Sequence, residues 1–202
     1  AIAPSILAAD ATTQPSRVFV TNERSGDISV IDPSQNQVVA TIPVGKRPRG
    51  IRVTADGTKA FVAVIGTPIG GPDASTKPAT ADRSADGIAL IDLQLLKVID
   101  TLPSGKDPEN LSLNGDASRV YISDEDASKA SILDVKSRRI RKSLDVGDEP
   151  EGVATSHDGK HVLITCETTN DVYVIDTEKM KVAGHFSTDG RPRAGIFLPD
   201  DS

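Results

Sequence analysis

The sequence predicts an all-β chain of about four stacked copies of one four-stranded antiparallel unit, and three observations carry that expectation. Charged prolines recur in "GKRPRG", "GKDPEN", "GDEPEG" and "DGRPRA", placing Pro48, Pro108, Pro150 and Pro192 at spacings of 60, 42 and 42 residues. A second marker keeps the same register: "VIDPS", "LIDLQ", "ILDVK" and "VIDTE" place Asp32, Asp92, Asp134 and Asp176 at those spacings too. Within a unit, apolar residues come in short Val- and Ile-rich runs separated by turn signals, and no stretch presents a helical face. Four short strands in about 40–45 residues is the pattern of a β-propeller blade, a unit that buries both faces only by stacking on its neighbours.

In chain order, residues 1–16 open with "AIAPSILAAD", which is apolar, rich in small residues and uncharged before Asp10. That composition suits a disordered arm or the remnant of a secretory signal cleaved near Ala9. The repeats occupy 17–202. "VFVTN" ends at Asn22, "DISVID" at Asp32 and "QVVATIPV" at Val44; "PRGIRVT" runs to Thr54, and "ADGT" turns into "AFVAV". Asp-Gly in "ADGT" and "HDGK", and Asn-Gly in "LNGD", suit tight hairpins that need positive φ. The repeated Asp ends the third strand of each unit and reads as an Asx-turn stabiliser. The surplus in the longest spacing is a Gly/Pro/Ser/Thr/Ala insertion, the loop 66–86. The chain starts on the second strand of a unit and ends, at "FLPDDS", after a first strand. Two architectures satisfy that count: a four-bladed ring closed by pairing 193–198 beside 17–22, or an arc of a larger ring. An arc would expose apolar blade faces and tend to associate.

Composition narrows the function. A net charge of −6 and an aromatic content of 3% argue against nucleic acid and anionic lipid as partners. Cys166 is alone, which excludes an internal disulfide, a CxxCH haem site and a cysteine zinc site, and suits a small core residue. No apolar run approaches the ~18 residues of a membrane span. No metal or other cofactor is expected. There is no Asp-x-Asp-x-Asn-Gly calcium loop; His157 and His161 are parted by a turn, and His185 falls on an outer strand. No Ser or Cys has a His partner by position, so no catalytic residue is assigned. The sequon Asn110-Leu111-Ser112 reads as a chance match.

The stretch "VFVTNERSGDISVIDPSQNQVVATIPVGKRPRGIRVTADGTKAFVAV" closely resembles the YVTN family of β-propeller repeats. The order of "RPRGI", "DPENLSL", "EPEGVATSHDGK", "ETTN" and "GRPRAGIF" resembles a narrower group, the seven-repeat β-propellers associated with PQQ-dependent alcohol catabolism. The resemblance spans Arg17 to Ser202, and the loop 66–86 departs from it. It implies that the repeats form part of a seven-bladed ring. It also implies a periplasmic or secreted bacterial location, and a partner such as a quinoprotein dehydrogenase or a transport component. It implies no reaction. Lacking Trp and vicinal cysteines, the chain is not expected to be the quinoprotein itself.

In such a ring the strand after each charged Pro is innermost, so the corners lie at the mouth of the axial channel. Proline fixes φ and donates no hydrogen bond, which suits a rigid corner. Residues flanking it at i and i+2 are expected to point the same way. The corners then form one ring of Arg47/Arg49, Asp107/Glu109, Glu149/Glu151 and Arg191/Arg193. These charges either neutralise one another or bind: the arginines a carboxylate, a phosphate or an acidic patch, the acids a cation. Loops after each second strand share the face and add Asn22, Glu23, Asp124, Glu125, Glu167 and Asn170 as candidates. The acidic "SDEDAS" reads as a solvated loop. The expected function is a non-catalytic propeller binding a protein partner or a small anion. The alternatives are a lactonase-like hydrolase, with Glu149 activating water, and a cell-surface or envelope interaction module.

Overall fold

The computed structural model describes residues 16–69 and 80–201, so the arm 1–15, the centre of the loop at 70–79 and residue 202 lie outside the described residues. The first blade has three strands, β1 (Val18–Asn22), β2 (Asp27–Asp32) and β3 (Gln37–Pro43). The second is β4 (Pro48–Val53), β5 (Lys59–Val64), β6 (Gly87–Asp92) and β7 (Lys97–Leu102). The third is β8 (Pro108–Leu113), β9 (Arg119–Asp124), β10 (Lys129–Asp134) and β11 (Arg139–Asp145). The fourth is β12 (Pro150–Thr155), β13 (His161–Cys166), β14 (Asp171–Asp176) and β15 (Lys181–Ser187). Every sheet is antiparallel with its strands in chain order, so each blade is a meander and the whole is a partial β-propeller.

The strands that begin at a repeat proline, β4, β8 and β12, lie side by side. Residues 193 and 194 continue the series: the backbone of Arg193 and Ala194 lies against Gly152 of β12. Closure of a four-bladed ring, with 193–198 paired beside 17–22, is not what the structure shows. Among the described residues no strand is formed there, and β1 pairs with β2 alone. The reason is geometric: 193–194 is held against β12, on the side where a following blade stacks.

Both faces of the second and third blades are buried, which explains why their inner strands are apolar on both sides of the pleat. In β5, Ala60, Val62 and Val64 join Ile28, Val30, Ile42 and Ile91 between the first two blades. Its alternate residues Phe61 and Ala63 pack with Leu102, Leu111, Ile122 and Leu133 between the second and third. A third layer, between the third and fourth blades, holds Tyr121, Ile132, Val162, Ile164, Cys166 and Ile175. Cys166 is fully buried, and burial pushes its thiol up to about 11, which leaves it an unreactive core residue.

The repeated Asp does cap its turn: Asp32 Oδ1 accepts from Ser34 N at 2.9 Å, and Asp92 Oδ1 from the backbone N–H groups of Gln94 and Leu95 at 2.9 Å. Asp134 and Asp176 do the same for Ser137 and Lys179. Each turn ends on a left-handed residue, Asn36, Leu96, Arg138 or Met180, followed by a register shift in the outer strand pair. Leu is a poor occupant of that conformation and Asn a good one. Leu96→Asn is therefore expected to stabilise the protein by about 0.5–1 kcal/mol, read as a higher urea midpoint at unchanged slope.

The inner hairpins correct one expectation. Gly57 and Gly159 take positive φ as the sequence suggests, but in "LNGD" the left-handed residue is Ala117, not Gly115. The turn is built on the aspartate rather than the glycine. Asp56, Asp116 and Asp158 each accept from the backbone N–H two residues on, which places the left-handed residue directly after the Asp.

Candidate functional site

The charged corners share one backbone device. The residue before each proline, Arg47, Asp107, Glu149 or Arg191, has positive φ, at 38°, 57°, 53° and 34°. A residue preceding proline is kept out of the right-handed helical region by the ring, and here the chain reverses through the left-handed one. Two corners are tied down alike: Glu125 N donates to Asp107 O at 2.9 Å, and Glu167 N to Glu149 O at 2.8 Å.

With this device the contacts differ from corner to corner. Alternation of i and i+2 holds within an extended strand, and a left-handed residue is outside one, yet both arginine corners still bring their two guanidinium groups to one carboxylate. Arg49, Glu109, Glu151 and Arg193, which follow the prolines, form an inner set. Arg49 pairs with Glu109 on the neighbouring inner strand, and Arg193 with Glu151 at 3.6 Å. Three of the residues before the prolines have further partners of their own. Arg47 donates to the carbonyl of Thr67 at 2.8 Å, and Asp107 is buried beneath the long loop, where it accepts from Thr67 Oγ1 at 3.1 Å. Glu149 accepts from the hydroxyl of Thr168.

Arginine corners carry their own counter-charge. Glu23, directly after β1, binds Arg47 at 2.6 Å and Arg49 at 3.1 Å. Glu167, in the same place after β13, binds Arg191 and Arg193. Burial raises the Glu23 pKa, but its bonds to Arg47 and the charges of Arg49 and Arg47 outweigh that and leave it below the usual carboxylate range. Burial also works against the charge of Arg49, yet Glu109 and Glu23 raise its pKa above the ordinary value. All four corner arginines are thus engaged with carboxylates.

The acidic corners are not balanced in this way. Burial pushes Glu109 up to about 8; Arg49 opposes the shift, while Glu125 and Glu151 reinforce it. Glu151 is also raised, first by burial, with Arg193 opposing and Glu125 adding to it. Asp124, the last residue of β9, is fully buried. Burial lifts it to about 7 against the Ser131 hydroxyl and the Gly105 N–H that it accepts from. Among the described residues, Glu125 and Glu149 form no ion pair. The corner face carries more acidic groups than cations to pair with them.

The two asparagine candidates are hydrogen-bonded to neighbouring residues. Asn22 donates to Asp27 and Ser29 within its own hairpin, and Asn170 Oδ1 accepts from Arg191 N at 2.6 Å. Sequence reading missed an outer cluster made by the ends of the long loop. Arg83 donates to Thr67 Oγ1 and to Asp86, both at 3.2 Å, and pairs with Asp126. An insertion falls outside the repeat register, so periodicity gives it no signal. Arg52 was missed as well: it lines a cavity of about 490 Å³ at the opposite end of the inner strands. His157 also lines that cavity, on the face away from the charged corners. Among the described residues no group of three or more His, Cys, Asp or Glu is placed to hold a metal ion, and no helix is long and apolar enough to cross a membrane.

Comparison with known proteins agrees on the architecture. The model of the YNCE-like beta-propeller family matches residues 74–157. Among solved structures, hydrazine synthase of Kuenenia stuttgartiensis is similar at a TM-score of 0.76 and 19% identity. That match covers 92% of this chain and 50% of the other, so the chain spans half the length of that relative. No curated protein matches in sequence. At this identity the likeness is one of fold, and the chain is a β-propeller protein.

Proposed function

We propose that this propeller is a non-catalytic periplasmic binding module, accessory to quinoprotein-linked alcohol oxidation, whose corner face receives a basic protein partner. The observation that carries the binding mode is the charge balance of that face: each corner arginine is held by Glu23, Glu109, Glu151 or Glu167, while Glu125 and Glu149 have no cation. Engaged guanidinium groups do not invite an anion, whereas crowded carboxylates on rigid corners gain from a neighbouring Lys or Arg. The pathway and location rest on the motif order "RPRGI", "DPENLSL", "EPEGVATSHDGK" and "GRPRAGIF".

The test is association of the immobilised chain with a purified quinoprotein alcohol dehydrogenase and, separately, with a lysine-rich peptide, at low and at physiological salt. Both should bind, the interaction should weaken with salt, and Glu125→Lys with Glu149→Lys should weaken it about tenfold or more. Binding of the peptide alone would remove the quinoprotein link. Binding of neither would remove the acidic face as a docking site.

A further inference from the structure

We propose that the cavity at the other end of the inner strands is a binding site for a small organic carboxylate, anchored by Arg52. The cavity, about 490 Å³, is walled by the ends of β4, β8 and β12 and by residues 195–197. Arg52 extends from β4 across this space. Its Nη1 donates to the carbonyl of Ile51 at 2.8 Å, and its Nη2 lies 3.5 Å from the carbonyl of Val153 on β12. Among the described residues no carboxylate forms an ion pair with it. Burial, with no counter-charge, lowers its pKa from the ordinary value.

The contrast with Arg49, three residues earlier on the chain, is informative. There two carboxylates overcome the cost of burial; at Arg52 nothing does. A half-buried guanidinium whose anchors are neutral carbonyls is an unfilled demand for an anion. Space for one exists because the positions equivalent to Arg52 on the next two inner strands carry the small residues Ser112 and Ala154. Both also line the cavity. The hydroxyls of Ser112 and Thr155 sit 2.5 Å apart on the same wall. These are neutral donors suited to a carboxylate held by a planar guanidinium. Phe197 supplies an apolar surface for a short hydrocarbon body. The site is distinct from the corner face and does not rest on the function proposed for it.

The experiment is a titration of the 15N-labelled chain with sodium butyrate, with inorganic phosphate, and with sodium chloride as the ionic-strength control, followed by amide and Arg side-chain NMR shifts. Butyrate should give saturable shifts at Ser112, Asn114 and Thr155. Arg52→Met should weaken binding about tenfold or more, and Arg52→Lys, which keeps the charge but loses the fork, about threefold or more. Ala154→Leu, which fills the space opposite Arg52 and leaves the guanidinium in place, should abolish binding even if Arg52→Met fails to fold. Saturation by phosphate but not butyrate would overturn the assignment of a carboxylate. Shifts that chloride reproduces, or butyrate affinity unchanged in a folded Arg52→Met or Ala154→Leu variant, would overturn the site.

Discussion

Replacing Gly50 or Gly152 by valine is expected to cost about 3 kcal/mol or more, enough to leave little folded protein at 37 °C in a chain of ordinary stability. Both glycines sit two residues after a repeat proline, where neighbouring inner strands converge on the axis. A Cβ on Gly50 would lie 2.5 Å from Asn110 Oδ1 and 2.8 Å from Asn110 Cα. On Gly152 it would lie 2.6 Å from Arg193 O, 2.6 Å from Thr165 Oγ1 and 2.9 Å from Ala194 Cα. Much of what it meets is backbone, so relief requires the inner strands to separate, and with them the layers that bury Leu111 and Val153. Gly115 is the control, because nothing lies within 4 Å of a Cβ placed there. Urea unfolding of Gly50→Val, Gly152→Val and Gly115→Val should separate the first two from the third. A loss under about 1 kcal/mol in Gly50→Val would mean that the convergence does not govern stability.

Those glycines also show what a sequence can disclose. The repeat was legible because two markers, the proline and the aspartate, recur in one register for separate physical reasons, a rigid corner and a capped turn. Strand limits followed closely, since Asp32, Asp92, Asp134 and Asp176 each end a strand where expected. The corner residues were legible as recurring charges beside the prolines, but not the direction of each side chain. Direction depends on the left-handed φ of Arg47, Asp107, Glu149 and Arg191, and no residue type there announces it. Glycine or asparagine would have. The pairing of Glu23 with Arg47 and of Glu167 with Arg191 had a usable signal, an acid 24 residues before an Arg-Pro-Arg corner in both copies. Arg52 had none, because its interest lies in what is missing around it.

Crowding of acids on the corner face should appear in the pH dependence of stability. Glu109 titrates near 8 in the folded protein and near its ordinary 4.5 when unfolded, and Asp124 near 7 against 3.8, in both cases because burial penalises the charge. Between the unfolded and folded values the folded state holds the extra proton, so stability falls as pH rises, from about 4 to 7 for Asp124 and from about 4.5 to 8 for Glu109. Carboxylates with depressed values act oppositely. Asp56, held near 2 by the Thr54 hydroxyl and the Thr58 N–H and hydroxyl, contributes stability that is present above the unfolded value and lost on acidification. The two trends place the stability maximum near pH 5 and a decline toward pH 8.5. Glu109→Gln keeps the shape, removes the ionisation, and should reduce that decline by about 1–3 kcal/mol in urea unfolding at pH 5 and 8.5. Arg49 bears on the result from the other side, since Gln leaves its guanidinium with Glu23 as its remaining acid. If Arg49 held Glu109 ionised in the folded state, the decline would be the same in both proteins and the variant would be weaker at every pH. A smaller decline in Glu109→Gln, with equal or greater stability at pH 8.5, would show that the corner face carries more acid than its arginines neutralise, the condition on which a basic partner depends.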